Sequence, residues 1–159
     1  MYKGRGDLMS MQFVIFKIEA EEFGVDIMKV KEIIKPLQIV RVPNTPVFIE
    51  GIINLRGKVH PVFNLRKKFG FPEKPFDDDT KIVIVDVNGV DIGFIVDEVN
   101  EIVRIEEDQI EEAPRFISGV NSQYISGVGK IDSRMIIILD LDLVLSVDEQ
   151  EQLKAVNKS

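Results

Sequence analysis

Two stretches of this chain repeat the same hydrophobic pattern at a constant distance of 69 residues. Phe13–Ile34 aligns with Ile82–Val103 without a gap, and Glu32 falls on Glu101. Eleven of the 22 aligned pairs are apolar on both sides. Chance pairing at 45% apolar content would give only about four or five such pairs, so the match indicates an internal repeat.

A second alignment extends the repeat toward the end of the chain. Phe48–Leu65 falls on Tyr124–Leu141 at an offset of 76 residues, and a seven-residue insertion accounts for the change of offset. Two tandem units, about 12–71 and 80–147, therefore make up most of the chain. Such a duplication predicts two small barrels that share a core and are related by a pseudo-twofold axis. Barrels of this kind can exchange a hairpin, so the units in space need not coincide with the repeats in sequence.

The apolar residues occur in short runs that predict strands. The runs are rich in β-branched residues and are separated by Gly, Pro, Asn and Asp, which is typical of an all-β protein. Asn88-Gly89 predicts a type I′ hairpin, because both of its residues tolerate positive φ. Only Leu65–Phe69 predicts a short helix, whereas Asp26–Ile34 and Asp97–Val103 fit either a helical turn or a strand. The predicted strands are Phe13–Ile18, Ile39–Val42, Ile52–Leu55, Val59–Phe63, Ile82–Val87, Ile92–Val96, Ile102–Ile105 and Met135–Leu141.

The composition restricts the kinds of partner and chemistry that we expect. No apolar run approaches the ~20 residues of a membrane span, so the sequence predicts a soluble protein without membrane insertion. The formal net charge of -7 argues against nucleic-acid binding, which depends on surplus positive charge. The chain has no Cys and one His, which removes disulfides, thiol chemistry and most metal sites. Other proteins are therefore the expected partners.

The two ends of the chain differ in composition from the repeats. Residues 1–10 are polar and contain glycine, and they lack the apolar segment of a signal peptide. We predict a flexible tail there, a domain over residues 11–147 and a polar C-terminal tail over 148–159. The expected location is the cytoplasm.

No group of residues predicts an active site, a metal site or a cofactor. His60 lies in a strand-like run with no second His or Cys. The acidic run Asp77–Asp79 lacks the pattern of a calcium loop and its distal glutamate. Gly127–Lys130 resembles a phosphate loop only in part, because Ile131 stands where Ser or Thr is needed.

Two charged residues interrupt otherwise apolar strand-like segments. Glu32 lies between Lys31 and Ile33, and Arg56 follows Leu55. Ionisable groups among half-buried strands are stable only when they are paired, and arginine binds a carboxylate well. We therefore predict a Glu32–Arg56 ion pair, with Leu55 and Val59 pointing into the core.

A series of motifs runs in order from about Met11 to Val147 and resembles one protein family. The motifs are Phe23-Gly24-Val25-Asp26-Ile27, Val30-Lys31-Glu32-Ile33, Val42-Pro43-Asn44-Thr45-Pro46, Gly51-Ile52-Ile53-Asn54-Leu55-Arg56-Gly57-Lys58-Val59-His60-Pro61-Val62, Gly93-Phe94-Ile95-Val96-Asp97-Glu98-Val99, and Ala113-Pro114 through Gly127-Val128-Gly129. In this order they resemble the CheW family of bacterial chemotaxis adaptor proteins.

The resemblance implies a scaffold and not an enzyme. Its members fold as two small five-stranded barrels with little helix. They couple the cytoplasmic tips of transmembrane chemoreceptors to the regulatory domain of the histidine kinase CheA. The resemblance therefore implies recruitment to receptor arrays at the membrane, with no cofactor and no small-molecule substrate.

The resemblance also assigns roles to individual positions. The receptor-binding positions are Val30, Glu32, Gly51 and Arg56, of which we expect Val30 and Gly51 to lie near each other and partly exposed. The positions that match the kinase or ring interface are Ile82 and Phe116. Arg115 departs from the family pattern, in which an acidic residue is more typical.

Two other classes of function stay open at this stage. A β-barrel that binds single-stranded nucleic acid would require a basic groove with stacking aromatic residues. A barrel hydrolase would require a carboxylate pair, for which Asp140 and Asp142 are the candidates.

Overall fold

The computed structural model describes residues 10–45, 49–112, 124–145, 149 and 151. Within these residues the chain forms eleven strands and two four-residue α-helices, which confirms an all-β protein with little helix. The strands are β1 (Ser10–Ile18), β2 (Glu21–Asp26), β3 (Val30–Ile34), β4 (Ile49–Leu55), β5 (Lys58–Asn64), β6 (Lys81–Val87), β7 (Val90–Val96), β8 (Glu98–Glu106), β9 (Ile110–Glu111), β10 (Ile125–Ile131) and β11 (Arg134–Leu139). The helices are α1 (Leu65–Lys68) and α2 (Leu141–Val144). Neither α-helix approaches the length that a membrane span needs.

The strands form two sheets, and each sheet takes strands from both repeats. The five-stranded sheet has the order β3-β6-β7-β5-β4, and the six-stranded sheet has the order β8-β1-β2-β11-β10-β9. The hairpin β1–β2 of the first repeat thus lies among strands of the second, and β6–β7 lies among strands of the first. Parallel pairs, β2 with β11 and β5 with β7, attach the exchanged hairpins. The hairpin exchange that the repeat allowed is present.

The two offsets found in the sequence recur in the bounds of the elements. Adding 76 to Ile49–Leu55 gives Ile125–Ile131, which are the bounds of β4 and β10. The same shift carries α1 onto α2. The sixth strand, β9, pairs with β10 in the place where the first repeat has only an isolated bridge between Val40 and Ile52. Because the first repeat forms only a bridge where the second forms the strand β9, one sheet has five strands and the other has six.

The central strands are buried on both faces. In β1, Phe13 and Ile15 lie in a small cluster belonging to the six-stranded sheet. The alternate residue Val14 lies in a larger core shared by both sheets. In β6, Ile82 lies in the small cluster of the five-stranded sheet and Val83 in the shared core. Burial of one such side chain stabilises the fold by about 1.5–3 kcal/mol, so the side chains on both faces of these strands stabilise the protein.

Some local predictions are confirmed and others are wrong. Asn88 and Gly89 both have positive φ, at 51° and 87°, as the type I′ hairpin requires. The predicted strand Ile39–Val42 is reduced to the bridge at Val40, since one backbone pair is all that the segment makes there. The predicted strand Met135–Leu141 ends at Leu139, because Asp140 caps α2.

We expect the substitution Gly51→Ala to destabilise the protein. A Cβ at Gly51 would lie 2.2 Å from the carbonyl oxygen of Val40, and the residue has a φ of +151°. The added methyl group would displace the segment that bridges to β4, so the free energy of unfolding should fall by roughly 2 kcal/mol or more in urea denaturation. The matched control is Gly57→Ala, which has a φ of +87° but no atom within 4 Å of the added Cβ. It should cost only about 1 kcal/mol, and an equal loss for both variants would contradict this account.

Candidate partner-binding site

The four predicted receptor-binding positions lie at the two edges of the five-stranded sheet. Val30 and Glu32 belong to β3, which forms one edge. Gly51 belongs to β4, the opposite edge, and Arg56 lies in the turn between β4 and β5. Any contact between Glu32 and Arg56 therefore brings the two edges of one sheet together.

The predicted ion pair is present. The guanidinium Nη2 of Arg56 donates a hydrogen bond to Oε2 of Glu32. Arg56 has a φ of 52° and Gly57 a φ of 87°, and the Gly57 N–H donates to Oδ1 of Asn54 at 2.9 Å. This tight two-residue turn, stabilised by Asn54, holds the arginine at the end of the hairpin, where it faces β3.

The environment of the pair is exposed on one side and half-buried on the other. The Arg56 side chain is 68% exposed and that of Glu32 is 32% exposed. The hydrogen bond from Arg56 is the main reason that the pKa of the Glu32 carboxyl lies below its usual value, against a smaller opposing effect of desolvation. The same bond raises the pKa of Arg56. Since exposed ion pairs contribute little to stability, this pair mainly fixes geometry.

The neighbours of the pair agree with the prediction only in part. Leu55 packs against the small cluster of its sheet, as predicted. Val59 does not turn into the core but is 36% exposed, because it lies at the turn end of β5, before the buried part of the strand begins at His60. Val59 therefore adds an apolar surface beside the turn.

The expectation of partial exposure holds for Val30 but is wrong for Gly51. Val30 is half-buried and packs against the shared core. Gly51 is buried, since the backbone of Val40 lies directly over it. Its lack of a side chain allows a close backbone approach, but the approaching backbone is that of the chain itself.

The second repeat contains a related ion cluster that the sequence analysis missed. Nη2 of Arg134 is 2.6 Å from Oε1 of Glu22 and 2.8 Å from Oε2 of Glu101. Glu101 is the residue that aligns with Glu32, so this alignment was the available signal. The hydrogen bond from Arg134 lowers the pKa of Glu22, and the same bond raises the pKa of Arg134. Both repeats thus hold the glutamate of their third strand with an arginine beside a hairpin turn.

Of the two positions assigned to the kinase or ring interface, the structure describes only Ile82. Ile82 is fully buried in the small cluster of the five-stranded sheet. It pairs with Ile34 on the edge strand β3, so it supports that edge from the neighbouring strand β6. Phe116 and the neighbouring Arg115 lie outside the described residues.

The carboxylates considered for a hydrolase have structural roles near a small cavity. The cavity has a volume of about 200 Å³ and is lined by Asp26, Lys29, Ser126 and residues 139–142. Oδ1 of Asp140 accepts a hydrogen bond from the backbone N–H of Asp142 at 3.0 Å and so caps α2. In the described part of the chain, no three His, Cys, Asp or Glu side chains are grouped to hold a metal ion.

We expect the substitution Arg56→Gln to raise the pKa of Glu32. The hydrogen bond from the guanidinium is the main cause of the lowered value, so its loss returns the carboxyl toward its ordinary pKa, as an NMR titration of the Glu32 side chain would record. The matched control is Arg134→Gln, which should raise the pKa of Glu22 and leave that of Glu32 in place. A titration of Glu32 that is unchanged in Arg56→Gln would show that the pair does not form in solution.

Comparison with known proteins identifies the family. A family profile described as a CheW-like domain matches residues 12–149. Chemotaxis protein CheW of Klebsiella aerogenes is 35% identical over 97% of this chain and 93% of its own length. The protein of the same name from Helicobacter pylori is 36% identical over 87% of this chain and 83% of its own.

A solved structure extends the likeness to the fold. The crystal structure of the scaffolding protein TtCheW from Thermoanaerobacter tengcongensis matches with a TM-score of 0.82 and 40% sequence identity. The match covers 89% of this chain and 96% of that chain. CheW proteins are scaffolds and not enzymes, and this chain belongs to the CheW family of chemotaxis proteins.

Proposed function

We propose that this protein is a cytoplasmic adaptor that couples transmembrane chemoreceptors to the histidine kinase CheA in signalling arrays. One partner is the cytoplasmic tip of the receptors and the other is the regulatory domain of the kinase. The observation that carries the proposal is the Glu32–Arg56 pair. It joins the two edges of the five-stranded sheet at the positions that the family resemblance assigns to receptor binding.

The surface around the pair has the character that a helical partner requires. An amphipathic helix binds by placing apolar side chains against an apolar surface. Exposed apolar residues lie on the elements that carry the pair. Ile33 on β3 is 40% exposed, Val40 over β4 is 55% exposed and Val59 on β5 is 36% exposed. With half-buried Val30, these residues expose apolar side chains on or next to the elements that carry the charge pair.

We assign the kinase or ring interface to the region of Ile82 and Phe116. Ile82 acts from inside the sheet, because its buried side chain supports edge strand β3 through the pairing with Ile34. Exposed strand edges are surfaces on which another chain can add. Phe116 is assigned on the resemblance alone.

An adaptor of this kind depends on many weak contacts acting together. When one partner is held in an array, the second binding event occurs at a high effective concentration, so modest individual affinities give strong overall binding. The exposed Glu32–Arg56 pair suits this role, since it contributes little energy by itself but defines the position of two strand edges.

A charge reversal tests the role of the pair. In Arg56→Glu two carboxylates face each other, so we expect receptor-dependent CheA activity to fall strongly. Combining Arg56→Glu with Glu32→Arg restores an ion pair and should recover part of the activity, which gives a non-zero coupling energy in a double-mutant cycle. The measurement is kinase activity in reconstituted receptor arrays, with thermal unfolding followed in parallel.

The control is Lys130→Glu, which breaks the exposed Lys130–Glu111 pair (3.2 Å) at the other sheet and should retain activity. Strict additivity would show that Arg56 contacts a partner directly, without a role for the pair.

The internal repeat provides a matched test for Val30. Val30 and Val99 occupy equivalent positions at the offset of 69, and both are half-buried against the shared core. We expect Val30→Lys and Val99→Lys to reduce the melting temperature by similar amounts, because each places a charge beside the same core. Only Val30→Lys should weaken binding of a receptor-tip fragment, measured by calorimetry. Equal loss of binding in both variants would place the receptor surface elsewhere.

A further inference from the structure

The chain passes between the two sheets at two junctions. The first leads from β2 to β3 through the 3₁₀ turn Ile27–Lys29. The second leads from β7 to β8 at Asp97, whose backbone N–H donates to the carbonyl of Lys17 at 3.0 Å. The short helices α1 and α2 each lie beside one of these junctions.

At the second junction a buried arginine joins three separate segments. The Arg66 side chain, from α1, is only 6% exposed. Its Nε donates to the carbonyl oxygen of Pro72 at 2.7 Å, and its Nη1 lies 2.5 Å from Oδ2 of Asp97. Its Nη2 donates to Oε2 of Glu19, at the tip of the β1–β2 hairpin. The same Asp97 oxygen accepts the backbone N–H of Glu19 at 2.8 Å. Arg66 therefore ties a helix of the five-stranded sheet to a hairpin of the six-stranded sheet.

At the first junction the charges are reversed and the contact is loose. The position in α2 that matches Arg66 at the offset of 76 is Asp142. Its Oδ1 is 3.8 Å from Nζ of Lys29 and makes no hydrogen bond. This junction contains the cavity of about 200 Å³. A buried guanidinium with three acceptors holds its partners in a fixed geometry, whereas a single distant ammonium does not.

We propose that Arg66 is a positioning residue that locks one junction, so that the two sheets move relative to each other mainly at the other junction. Lys29 immediately precedes Val30, so the unlocked junction adjoins the proposed receptor-binding strand β3. Locking one side thereby restricts how β3 moves relative to the six-stranded sheet. The link to receptor binding rests on the proposed function, but the locking of the junction does not.

Spin labels can test the locking directly, because the chain contains no cysteine. One pair, Ala20→Cys with Glu73→Cys, spans the locked junction at exposed positions. A second pair, Ile33→Cys with Leu143→Cys, spans the unlocked junction, where the residues are 40% and 54% exposed. In the otherwise unchanged protein, we expect electron paramagnetic resonance to give a narrow distance distribution for the first pair and a broader one for the second.

Substitution of Arg66 should change the first distribution. We expect Arg66→Met to broaden it and shift its mean to longer distances, with Arg66→Lys intermediate because it keeps the charge but not the three-way contact. If Arg66→Met does not fold, Glu19→Gln, which removes the charge of a single partner, should give a smaller broadening. The control is Arg134→Gln, whose partners Glu22 and Glu101 belong to its own sheet. It should leave the first distribution unchanged.

Binding of a receptor-tip fragment completes the test. If only about a tenth of the Arg66→Met molecules keep the arrangement of the sheets that binds the receptor, the apparent Kd for the fragment should rise about tenfold. Unchanged distances across the first junction in folded Arg66→Met or Glu19→Gln would overturn the proposal. Failure of the unsubstituted protein to bind the fragment, with the distances changing as expected, would instead count against the proposed function.

Discussion

The structure depends on strands that are buried on both faces. In β1 and β6 alternate side chains fill a small cluster within one sheet and a core shared between the sheets. Such strands must lie close to their neighbours. Gly93 on β7 allows this close approach to β6, because a Cβ at Gly93 would lie 2.8 Å from Cγ2 of Ile82. Because each repeat gives its first hairpin to the sheet of the other, neither repeat retains a complete sheet by itself. The two halves therefore fold and act as one unit.

Because the two repeats have the same arrangement of strands, the functional differences between them depend on a few side chains at equivalent positions. Both repeats place a glutamate on their third strand and an arginine near a hairpin turn. The differences come from single residues, such as Arg66 in α1 where α2 has Asp142. One junction between the sheets consequently has a buried ionic contact, and the other has a cavity. An adaptor with distinct partners needs such asymmetry, because a symmetric duplication would present the same surface twice.

The sequence predicted those features that arise from local chemistry or from the repeat. The Glu32–Arg56 pair was predictable because a charge within a half-buried strand requires a partner. The constant offset between the repeats also predicted that both halves of the chain have the same order of strands. The strand predicted around Val40 was wrong, because its apolar residues gave no sign that only one backbone pair would form. Arg66 was missed since it lies in a Lys- and Arg-rich run typical of a solvent-exposed surface. Its partners Glu19 and Asp97 are 47 and 31 residues away in the chain, and only the fold brings them together.

The two arginine–glutamate sites differ in how readily their arginines can contact another protein. Arg134 is 31% exposed and contacts two carboxylates, so moving it toward another protein would leave both Glu22 and Glu101 without their cation. Arg56 is 68% exposed and has one carboxylate partner, so its other N–H donors can bind an incoming carboxylate while Nη2 keeps its bond to Glu32. An added contact at an exposed pair costs little, whereas drawing an arginine out of a more buried cluster leaves uncompensated charges. This difference in electrostatic cost supports the proposal that the first repeat, and not the second, binds the receptor.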